Sequence, residues 1–465
     1  MQTATPDATT RPYGHAIVIG GSIAGLLAAR VLSEHFAQVT LVERDDPREQ
    51  GEYRKGVPQA RHPHALLLRG QREMEALFPG LTEELKAQGV EEANLGLHVR
   101  HFLYTGTRIP YESIYTVLCV SRPLLEQTVR RRVLDIDNVV LRPRVQAVEL
   151  VANAEGTAVA GVRLRPIGDH QLGETSLLEA DLVLDASGRD SRAPEWLAAL
   201  GYEPPAEIVV SADVSYTSRI YRRPADGPRD IKLLSIQPQA PGLPRGAVMT
   251  LLEGDRWHLT LVGMVGDHAP TDEEGYLEFI RSLSTPLLYD LVKDAEPLTP
   301  IVGYRRVENR DRRYGELPRY LEGFVVMGDA ALALNPIYGQ GMTVAAISGG
   351  VLAQQIREQR EQHAGAGLDG FAQRFQTNLA EAIAGAWQMA ANEDQRWIDL
   401  REDRPVDPAA AMMQRYMGQV LNATLTMPAV AEAFFGVLQM VAPPTDFFRP
   451  DIVLQVMATL PEAHA

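Results

Sequence analysis

The chain has 465 residues, of which 45% are hydrophobic and 23% are charged, so it can bury more than one sizeable core. Its formal net charge of −15 argues against nucleic acid as a partner, because phosphate binding requires basic patches. The single cysteine, Cys119, excludes an internal disulfide framework and fits a reducing compartment. The densest basic run, residues 130–132, is interpreted as a solvated helix face.

Neither a targeting segment nor a membrane-spanning segment is predicted. The first 13 residues are polar and rich in Thr and Pro, which is typical of a disordered leader. No stretch reaches the ~18 uncharged apolar residues that a membrane-spanning helix needs. The longest apolar stretch, 433–443, contains Gln439 and ends at prolines, which favours a core helix. A cytoplasmic location is expected, with peripheral membrane contact left open.

A nucleotide-binding pattern lies near the amino terminus. The sequence predicts a strand at 15–19, a glycine-rich turn at 20–25, a helix at 26–36 and a second strand at 39–42. The turn runs from Gly20 to Gly25, and Glu43 follows the second strand, 18 positions after Gly25. This spacing indicates a βαβ unit in which the turn packs under a pyrophosphate and Glu43 accepts hydrogen bonds from a ribose. Ser22 stands where the usual fingerprint has its central glycine, and its small hydroxyl still permits close approach.

A second cofactor-type segment covers residues 323–342. Its apolar run at 324–327 is typical of a parallel strand that is buried on both faces. Gly328 and Asp329 follow directly, so a carboxylate stands at the carboxyl end of this strand, where open α/β sheets bind ligands. An acid that only caps the following turn is the simpler alternative. The combined pattern favours a cofactor contact.

The same segment continues into a glycine-punctuated helix start. Pro336 contributes a rigid turn, and Gly339 and Gly341 let the backbone approach a ligand closely. A helix is predicted from Met342 to residue 357. Backbone N–H groups at its start present positive potential to a ligand, so an anionic or electron-rich group is expected there.

Between these segments the sequence predicts further strands and helices. The run SRPLLEQTVRRRVL from Ser121 is typical of a serine-capped helix with a proline in its first turn. Thr271 and Glu274 form a capping-box pattern that opens a helix at 276–283, and the chain after 360 is mostly helical. Predicted strands cover 139–150, 158–166, 180–188 and much of 208–300, with a hairpin near 249–261.

In this order the motifs resemble the flavin-dependent monooxygenases of the p-hydroxybenzoate hydroxylase type, over nearly the whole chain. The turn from Gly20 with Glu43 is similar to that family's ADP-binding unit, DASG at 185–188 to its middle motif, and Gly328-Asp329 to the acid that holds the flavin ribityl chain. The squalene-epoxidase-like bacterial branch, which includes epoxidases of polyether-antibiotic pathways, is most similar in the stretches GVPQARHPHALLLRG, SRPLLE, DASGRDSRAPEWL, RWHLTLVG and NPIYGQGM.

The resemblance implies FAD as the cofactor and a set of residues that contact it. Asp329 would bind ribityl hydroxyls, and Arg122 and Arg61 would lie near the pyrophosphate or the flavin. The backbone groups implied near the isoalloxazine belong to Pro336, Gly339, Gln340, Gly341 and Met342. The implied cofactor-binding residues are Gly20, Ser22, Gly25, Glu43, Arg44, Arg61, Arg122, Asp185, Gly188, Gly328, Asp329, Pro336, Gly341 and Met342.

The fold implied by the resemblance is of the α/β class. A Rossmann-like FAD-binding domain is expected to be interleaved with a mixed β-sheet substrate domain, and a helical region to close the chain. The FAD-binding domain is assigned to 1–75, 112–205 and 300–360, the sheet domain to 76–111 and 206–299, and the helical region to 361–465.

The activity implied is insertion of one oxygen atom from O2, through a flavin C4a-hydroperoxide, into a hydrophobic biosynthetic substrate, with alkene epoxidation favoured. NADPH or NADH is the implied electron donor. The family's middle motif usually reads Asp-Gly-x-x-Ser-x-x-Arg, but Asp185 is followed by Ala186-Ser187-Gly188. A separate flavin reductase is therefore kept as an alternative source of electrons. Epoxidation requires no side-chain base, so no catalytic side chain is assigned, and no metal site is predicted.

Other functions stay open. An aromatic hydroxylase is the nearest alternative, a flavoprotein polyprenyl reductase would consume no oxygen, and a flavin-binding scaffold would hold flavin without turnover. A flavin halogenase is disfavoured because the four tryptophans, at 196, 257, 387 and 397, form no Trp-x-Trp pattern. Trp257 and Tyr338 are candidate substrate-pocket residues. His62 and His64 are interpreted as packing or capping residues.

Overall fold

The computed structural model describes residues 13–46, 58–103, 105–168, 173–305, 307–362 and 367–458. The predicted leader, apart from Tyr13, and the first two residues of the GVPQARHPHALLLRG stretch lie outside the described residues. The helices are α1 (Ile23–Leu32), α2 (Leu68–Leu77), α3 (Leu81–Ala87), α4 (Arg122–Leu134), α5 (Ala193–Ala199), α6 (Glu273–Arg281), α7 (Leu287–Val292), α8 (Gly341–Gln362), α9 (Phe371–Arg401), α10 (Pro408–Ala423), α11 (Pro428–Leu438) and α12 (Pro450–Ala458).

The strands of the described residues form five sheets. Their bounds are β1 (Tyr13–Ile19), β2 (Phe36–Val42), β3 (Glu91–Asn94), β4 (Val99–Leu103), β5 (Gly106–Thr107), β6 (Thr116–Cys119), β7 (Val139–Arg142), β8 (Val145–Ala152), β9 (Val159–Pro166), β10 (Ser176–Glu179), β11 (Leu182–Asp185), β12 (Glu207–Val210), β13 (Ser215–Arg222), β14 (Leu233–Ile236), β15 (Arg245–Leu252), β16 (Arg256–Gly263), β17 (Val302–Tyr304), β18 (Asn309–Arg312), β19 (Phe324–Val326) and β20 (Leu332–Ala333).

A five-stranded parallel sheet organises the first part of the fold. Its order is β19-β11-β1-β2-β7, and every neighbouring pair is parallel. Helices α1, α4, α8 and α9 contribute to the hydrophobic core on one face, and the antiparallel sheet β10-β9-β8 contributes to the core on the other. Because the strands are parallel, β1, β11 and β19 end at the same edge of the sheet. The α/β class predicted from the sequence is confirmed.

A seven-stranded mixed sheet, β17-β13-β16-β15-β14-β4-β5, forms the second large layer. Side chains alternate between its faces. Trp257, Leu259 and Leu261 of β16 belong to the core that also contains Tyr276 and Phe279 of α6. The side chains of Ser218 and Thr260 are hydrogen-bonded to each other, so they share the opposite face of β13 and β16.

Three element predictions are wrong in instructive ways. The helix predicted to end at Phe36 ends at Leu32, because residues 33–35 form a turn and Phe36 already pairs with Tyr13 in the sheet. The single strand predicted at 139–150 is two strands, since Arg144 adopts a positive φ of 56° between β7 and β8. The helix predicted from 276 begins at Glu273, because its cap is Asp272, whose carboxylate accepts from the Gly275 N–H at 2.8 Å.

Other local predictions are confirmed. The Ser121 hydroxyl accepts from the Leu124 N–H at 3.2 Å at the start of α4. The predicted hairpin is the antiparallel pair β15 and β16. Among the described residues, no single helix is long and apolar enough to cross a membrane, although α10 and α11, bent by 118°, pass together by length and composition.

Candidate cofactor and active site

A cavity of about 310 Å³ opens where β1, β11 and β19 end. Much of its wall comes from the turn at 19–24, the loop at 62–65, the segment 186–192 after β11, and positions between 329 and 345. The fold thus joins the two cofactor-type segments, which are far apart in sequence. The predicted site residues that line this cavity are Gly20, Ser22, Glu43, Arg44, Arg122, Gly188, Asp329, Pro336, Gly339, Gly341 and Met342.

The remaining predicted residues lie outside the lining. They are Gly25, Arg61, Asp185, Gly328, Gln340, Trp257 and Tyr338. A Cβ on Gly328 would lie 2.7 Å from the Ala24 Cβ, so this glycine allows two wall segments to pack closely. The Arg61 carbonyl accepts a hydrogen bond from His258 Nε2 at 3.1 Å. Their roles as direct ligand contacts stay predictions.

The turn after β1 is held by glycine geometry and by one acid. Gly20 has a φ of 102°, and a Cβ there would lie 2.4 Å from the Ala186 carbonyl oxygen. A Cβ on Gly25 would lie 1.7 Å from the Gly20 carbonyl oxygen. Glu43 Oε2 accepts from the Gly21 N–H at 2.8 Å. The turn therefore has a closely packed backbone with the predicted ribose-binding acid directly beside it.

Ser22 links this turn to α4. Its hydroxyl accepts from Arg122 Nη2 at 2.7 Å and donates to Glu126 Oε2 at 2.9 Å. Glu126 is buried and also pairs with Arg122 and Arg130. Ser22 thus has two hydrogen bonds that a glycine in its place would lack. These bonds fix the Arg122 guanidinium at the cavity wall.

Arg130 corrects the prediction of a solvated basic helix face. Its side chain is buried, pairs with Glu126, and donates from Nη2 to the Gly21 carbonyl at 3.3 Å. Arg131 and Arg132 both pair with Glu84. A buried arginine requires a carboxylate partner, and Glu126 supplies it one helical turn away.

The turn after β11 is organised by Asp185, which is fully buried. Its carboxylate accepts from the Ser187 N–H at 2.8 Å and from the Ser191 hydroxyl. Burial raises the pKa of Asp185, and the serine hydrogen bonds oppose this rise. Gly188 has a φ of 88°, and a Cβ there would meet no atom within 4 Å. Asp185 therefore stabilises the turn through hydrogen bonds inside the protein, while Gly188 faces open space in the cavity.

Asp329 presents its carboxylate to the cavity. None of the described residues donates a hydrogen bond to this carboxylate, although Arg189 and Arg122 lie near enough to favour its charge. Burial raises the pKa of Asp329, and the two arginines oppose the rise. An acid that is held in a cavity wall without an internal donor can accept hydrogen bonds from a ligand.

The loop between Asn335 and α8 is tied to the C-terminal helix α9. Asp394 of α9 is fully buried and accepts hydrogen bonds from Asn309 Nδ2 at 2.7 Å, Asn335 Nδ2 at 3.1 Å and the Tyr338 hydroxyl at 2.5 Å. The Asn335 N–H donates in turn to Asn309 Oδ1 at 2.7 Å. Tyr338, predicted in the substrate pocket, anchors this loop through its hydroxyl. Sequence reasoning missed Asp394 because it lies about 60 residues beyond the loop, in a segment without a motif.

Asp394→Asn is expected to remove the contribution that titration of Asp394 makes to the pH dependence of the free energy of unfolding. Burial raises the pKa of Asp394 to about 6, although its hydrogen bonds oppose the rise. The folded chain then binds a proton more tightly than the unfolded chain, so the free energy of unfolding falls as pH rises from about 4 to about 6. The shift is worth on the order of 3 kcal/mol.

The measurement is the melting temperature at pH 4.5 and at pH 7. The melting temperature at pH 4.5 minus that at pH 7 is expected to be lower in Asp394→Asn than in the wild type, because the variant loses the stabilising protonation of Asp394 at pH 4.5. Asp399→Asn, on the same helix, is the matched control and should keep the wild-type difference. An unchanged pH response in Asp394→Asn would contradict the assignment.

The wall opposite the glycine turns comes from the 62–65 loop and the seven-stranded sheet. A hydrogen bond of 2.7 Å joins His62 Nδ1 to Ser218 Oγ, and the His62 ring lies 5.5 Å from that of Tyr304. Burial lowers the pKa of His62 to about 4 and that of His64 to about 3. Both imidazoles are therefore neutral at pH 7. Both histidines also line the cavity. The sequence-based interpretation of them as packing or capping residues did not include this position.

Further lining residues escaped the sequence-based prediction. Arg189 donates to the Glu308 and Leu334 carbonyls, and it directly follows the DASG motif, which could have indicated it. Tyr216 and Tyr304 come from the paired strands β13 and β17, and no local pattern marks them. Trp257, the other predicted substrate-pocket residue, faces the α6 side of the sheet and is 1% exposed.

Comparison with known proteins agrees with this geometry. Residues 14–374 match the family described as FAD binding domain. The chain belongs to this FAD-binding family. It is also similar to Protein Rv3254 of Mycobacterium tuberculosis (strain ATCC 25618 / H37Rv), with 33% identity over 434 residues, which is 91% of this chain and 89% of that protein.

Solved flavoproteins share the fold. The flavin-dependent brominase Bmp2, as a triple mutant, is similar with a TM-score of 0.61 and 16% identity, over 95% of this chain and 97% of that chain. PqsL, a probable FAD-dependent monooxygenase from Pseudomonas aeruginosa, is similar with a TM-score of 0.58 and 16% identity, over 83% of this chain and 100% of that chain. This FAD-binding protein therefore has a fold that a flavin-dependent brominase and a probable FAD-dependent monooxygenase also have.

The cavity fits the cofactor of the family. Two glycine turns, at Gly20 and Gly188, leave backbone without side chains at its wall, which is what close approach of a pyrophosphate requires. The Asp329 carboxylate faces the cavity with its acceptor sites open, and α8 begins at Gly341 in the same wall. Hydroxyl groups and an electron-rich ring system match these features.

Proposed function

We propose that this FAD-binding enzyme is a monooxygenase that inserts one oxygen atom from O2 into a hydrophobic biosynthetic substrate, by epoxidation of an alkene. FAD supplies the electron transfer and the activation of O2 when it is bound. The chain itself holds the cofactor, orients the substrate and excludes water. NADPH or NADH is the proposed donor of electrons, either directly or through a flavin reductase.

Four groups are proposed to hold FAD. The turn at 20–25, with Arg122 beside it, would bind the pyrophosphate, and Glu43 would accept from the ribose. Asp329 would accept from ribityl hydroxyls. The first N–H groups of α8, which lack partners within the helix, would face the isoalloxazine and stabilise negative charge on it.

One observation carries the choice of reaction: the sheet side of the cavity is lined by neutral groups. His62, Tyr216 and Tyr304 line this side, and burial lowers the pKa of His62 to about 4, so its imidazole is a weak base. The lining carboxylates, Glu43, Asp190 and Asp329, belong to the cofactor-binding segments. An alkene attacks an electrophilic oxygen with its own π electrons and needs no side-chain base, whereas a phenol benefits from one.

The preference for epoxidation is also supported by the sequence resemblance to the squalene-epoxidase-like branch. The GVPQARHPHALLLRG motif contains His62 and His64, and NPIYGQGM contains the loop that Asp394 anchors. Both motifs contribute to the cavity wall. The resemblance therefore involves the residues around the proposed reaction site.

Oxygen consumption by the FAD-loaded protein, given NADPH and a panel of polyenes and phenols, tests the proposal. An isolated alkene is expected to gain one oxygen atom in step with oxygen uptake, as read from the product mass. Oxygen insertion into the phenols alone would replace epoxidation by aromatic hydroxylation. A gain of two hydrogens without oxygen uptake would show a reductase instead.

If NADPH does not reduce the flavin, a second experiment is needed. Reduction with dithionite, followed by exposure to O2 and the same panel, bypasses the electron donor. Product formation in this arm would support the monooxygenase with a partner reductase. Absence of product in both arms, with flavin bound, would contradict the proposed function.

A further inference from the structure

The two histidines of the 62–65 loop lie in the cavity wall, and the proposed FAD contacts do not use them. Burial lowers the pKa of His62 and of His64 far below 7, so each imidazole is neutral and carries one ring proton. The nitrogen that carries this proton can donate a hydrogen bond, and the other nitrogen can only accept one. The hydrogen bonds of the two rings within the protein decide which nitrogen carries the proton in each.

His64 is a hydrogen-bond acceptor toward the cavity. Its Nδ1 lies 2.8 Å from the His62 carbonyl oxygen. A carbonyl oxygen only accepts, so Nδ1 of His64 carries the proton and Nε2 keeps a lone pair. Among the described residues no group hydrogen-bonds to this Nε2, and the atom is not one of the fully buried polar atoms without a partner, so solvent reaches it. Since His64 lines the cavity, its Nε2 can accept from a ligand there.

His62 is connected to the seven-stranded sheet through two hydroxyl groups. Ser218 Oγ lies 2.7 Å from His62 Nδ1 and 2.5 Å from Thr260 Oγ1. The single hydroxyl proton of Ser218 goes to one of these two neighbours. If Ser218 donates to Thr260, the hydroxyl proton of Thr260 is left without an acceptor among the described residues. If Thr260 donates to Ser218 and Ser218 donates to His62, both hydroxyl protons have an acceptor.

The second arrangement makes His62 a hydrogen-bond donor toward the cavity. It is favoured because Ser218 is 1% exposed and Thr260 is 7% exposed, and a buried donor without an acceptor is costly. Nδ1 of His62 then accepts, and the ring proton is on Nε2. No group in the described part of the chain hydrogen-bonds to this Nε2, and it too is reached by solvent. His62 and His64 thus present opposite hydrogen-bonding atoms to one cavity.

The 62–65 loop packs against the segment 336–341, which leads into α8. A Cβ on Gly339 would lie 3.0 Å from the Ala65 Cβ. The His62 ring lies 6.3 Å from the Tyr216 ring, and the Tyr216 hydroxyl accepts from the Ile337 N–H at 2.7 Å. The donor and the acceptor therefore lie beside the part of the cavity where the proposed function places the isoalloxazine.

We propose that His62 and His64 are ligand-binding residues of opposite polarity: the Nε2–H of His62 donates to a ligand at this end of the cavity, and Nε2 of His64 accepts from it. The ligand must present an acceptor atom together with an N–H or O–H group. Two sources have this chemistry: the flavin ring with its carbonyl and imide groups, and a substrate that carries a hydroxyl or amide group. The inference rests on the proposed function, since that function places the isoalloxazine beside the start of α8.

The positions of the two ring protons are tested by nitrogen-15 NMR on the wild-type protein with labelled histidine. Correlations between the ring nitrogens and the carbon-bound ring protons distinguish the two neutral tautomers. We expect the Nε2–H form for His62 and the Nδ1–H form for His64 at pH 7. The spectra of His62→Gln and His64→Gln, which each lack one set of signals, provide the assignment. Either histidine in the other tautomer, or as an imidazolium, would overturn the inference.

Two ligand arms identify the source of the bound group. The spectra are recorded without ligand, with FAD, and with FAD plus a long-chain alkenol or the matching alkene. A change in the His62 and His64 signals on addition of FAD alone would assign the group to the flavin. A change that only the alkenol produces in the FAD-loaded protein would assign it to the substrate. Unchanged signals of both residues in both arms would refute a role in ligand binding.

His62→Phe removes the donor. The affinity for the ligand that changes the His62 signal is expected to fall about 10-fold, the effect of one hydrogen bond. His62→Gln is expected to restore most of this affinity, because the glutamine amide nitrogen also donates. His268→Gln is the matched control, since His268 hydrogen-bonds to Asp213 outside the cavity lining and its loss should leave the affinity unchanged. Equal affinities of the wild type and His62→Phe would contradict the donor role.

Ser218→Ala tests Ser218 as a positioning residue, because Ser218 does not line the cavity. The variant lacks the proton that fixes the His62 tautomer, so the His62 signals are expected to show a mixture of both neutral forms. A serine that only packs in the sheet would leave the tautomer as in the wild type, which would contradict the assignment.

The outcomes separate this inference from the proposed function. The expected tautomers and a ligand-induced change, without any oxygenated product, would leave the inference intact and contradict the monooxygenase. Oxygenated product from a protein whose His62 is in the Nδ1–H form would do the reverse.

Discussion

Asp329→Ala is expected to weaken FAD binding by roughly 100-fold. The carboxylate of Asp329 faces the cavity, and none of the described residues donates a hydrogen bond to it. If it accepts from two ribityl hydroxyls, its removal loses two hydrogen bonds to a charged group, or about 3 kcal/mol. The fold should survive, because the side chain holds no other element in place. The measurement is the FAD content of the purified protein, followed by the dissociation constant on titration with FAD.

Two further variants make the result specific. Asp329→Asn keeps one acceptor oxygen and is expected to retain more flavin than the alanine variant. Asp294→Ala changes an exposed acid beyond α7 and should bind FAD as the wild type does. If Asp329→Ala copurifies with a full complement of FAD, the acid serves only the turn at 328–330, and the proposed ribityl contact is wrong.

The elements with strong local patterns were predictable from the sequence. The apolar runs of β1, β11 and β19 show their burial directly, and Ser121 with the following proline marks the start of α4. Boundaries set by single residues were not predictable. Phe36 continues an apolar helical pattern, yet it is in a strand because the chain turns at 33–35. Tertiary pairing with Tyr13 decided that case.

The candidate site also has a part that was predictable from the sequence and a part that was not. Its cofactor side consists of glycine turns and acids that stand beside their strands in sequence, so the motifs indicated most of it. The rest depends on contacts between distant segments: Asp394 reaches the 335–338 loop, and His62 reaches Ser218 of β13. Arg130 shows the limit most clearly. Three consecutive arginines suggest a solvated face, and only the fold shows that one of them is buried against Glu126.

Within the glycine-rich turn at 20–25, Gly25 is the position most sensitive to substitution, because the backbone approaches it most closely. Gly25 lies in the first turn of α1, and its Cα faces the carbonyl of Gly20, the residue that follows β1. A methyl group at Gly25 would be placed 1.7 Å from that oxygen. The two nearest atoms, the Gly20 carbonyl oxygen and carbon, are backbone, so no side-chain rotation can relieve the overlap. Either α1 moves away from the sheet or the turn opens, and both changes disrupt the proposed pyrophosphate-binding turn.

Gly25→Ala is therefore expected to destabilise the fold by on the order of 3–5 kcal/mol and to abolish FAD retention. Gly385→Ala is the matched control, because Gly385 is an exposed helical glycine in α9 with no atom within 4 Å of an added Cβ. There the methyl group should raise stability by about 0.5–1 kcal/mol, since alanine is the better helix former. Melting temperature and bound flavin are measured for both variants. A Gly25→Ala protein with wild-type flavin content would show that the turn tolerates a side chain. In that case the cofactor site would not depend on the close packing of α1 on β1.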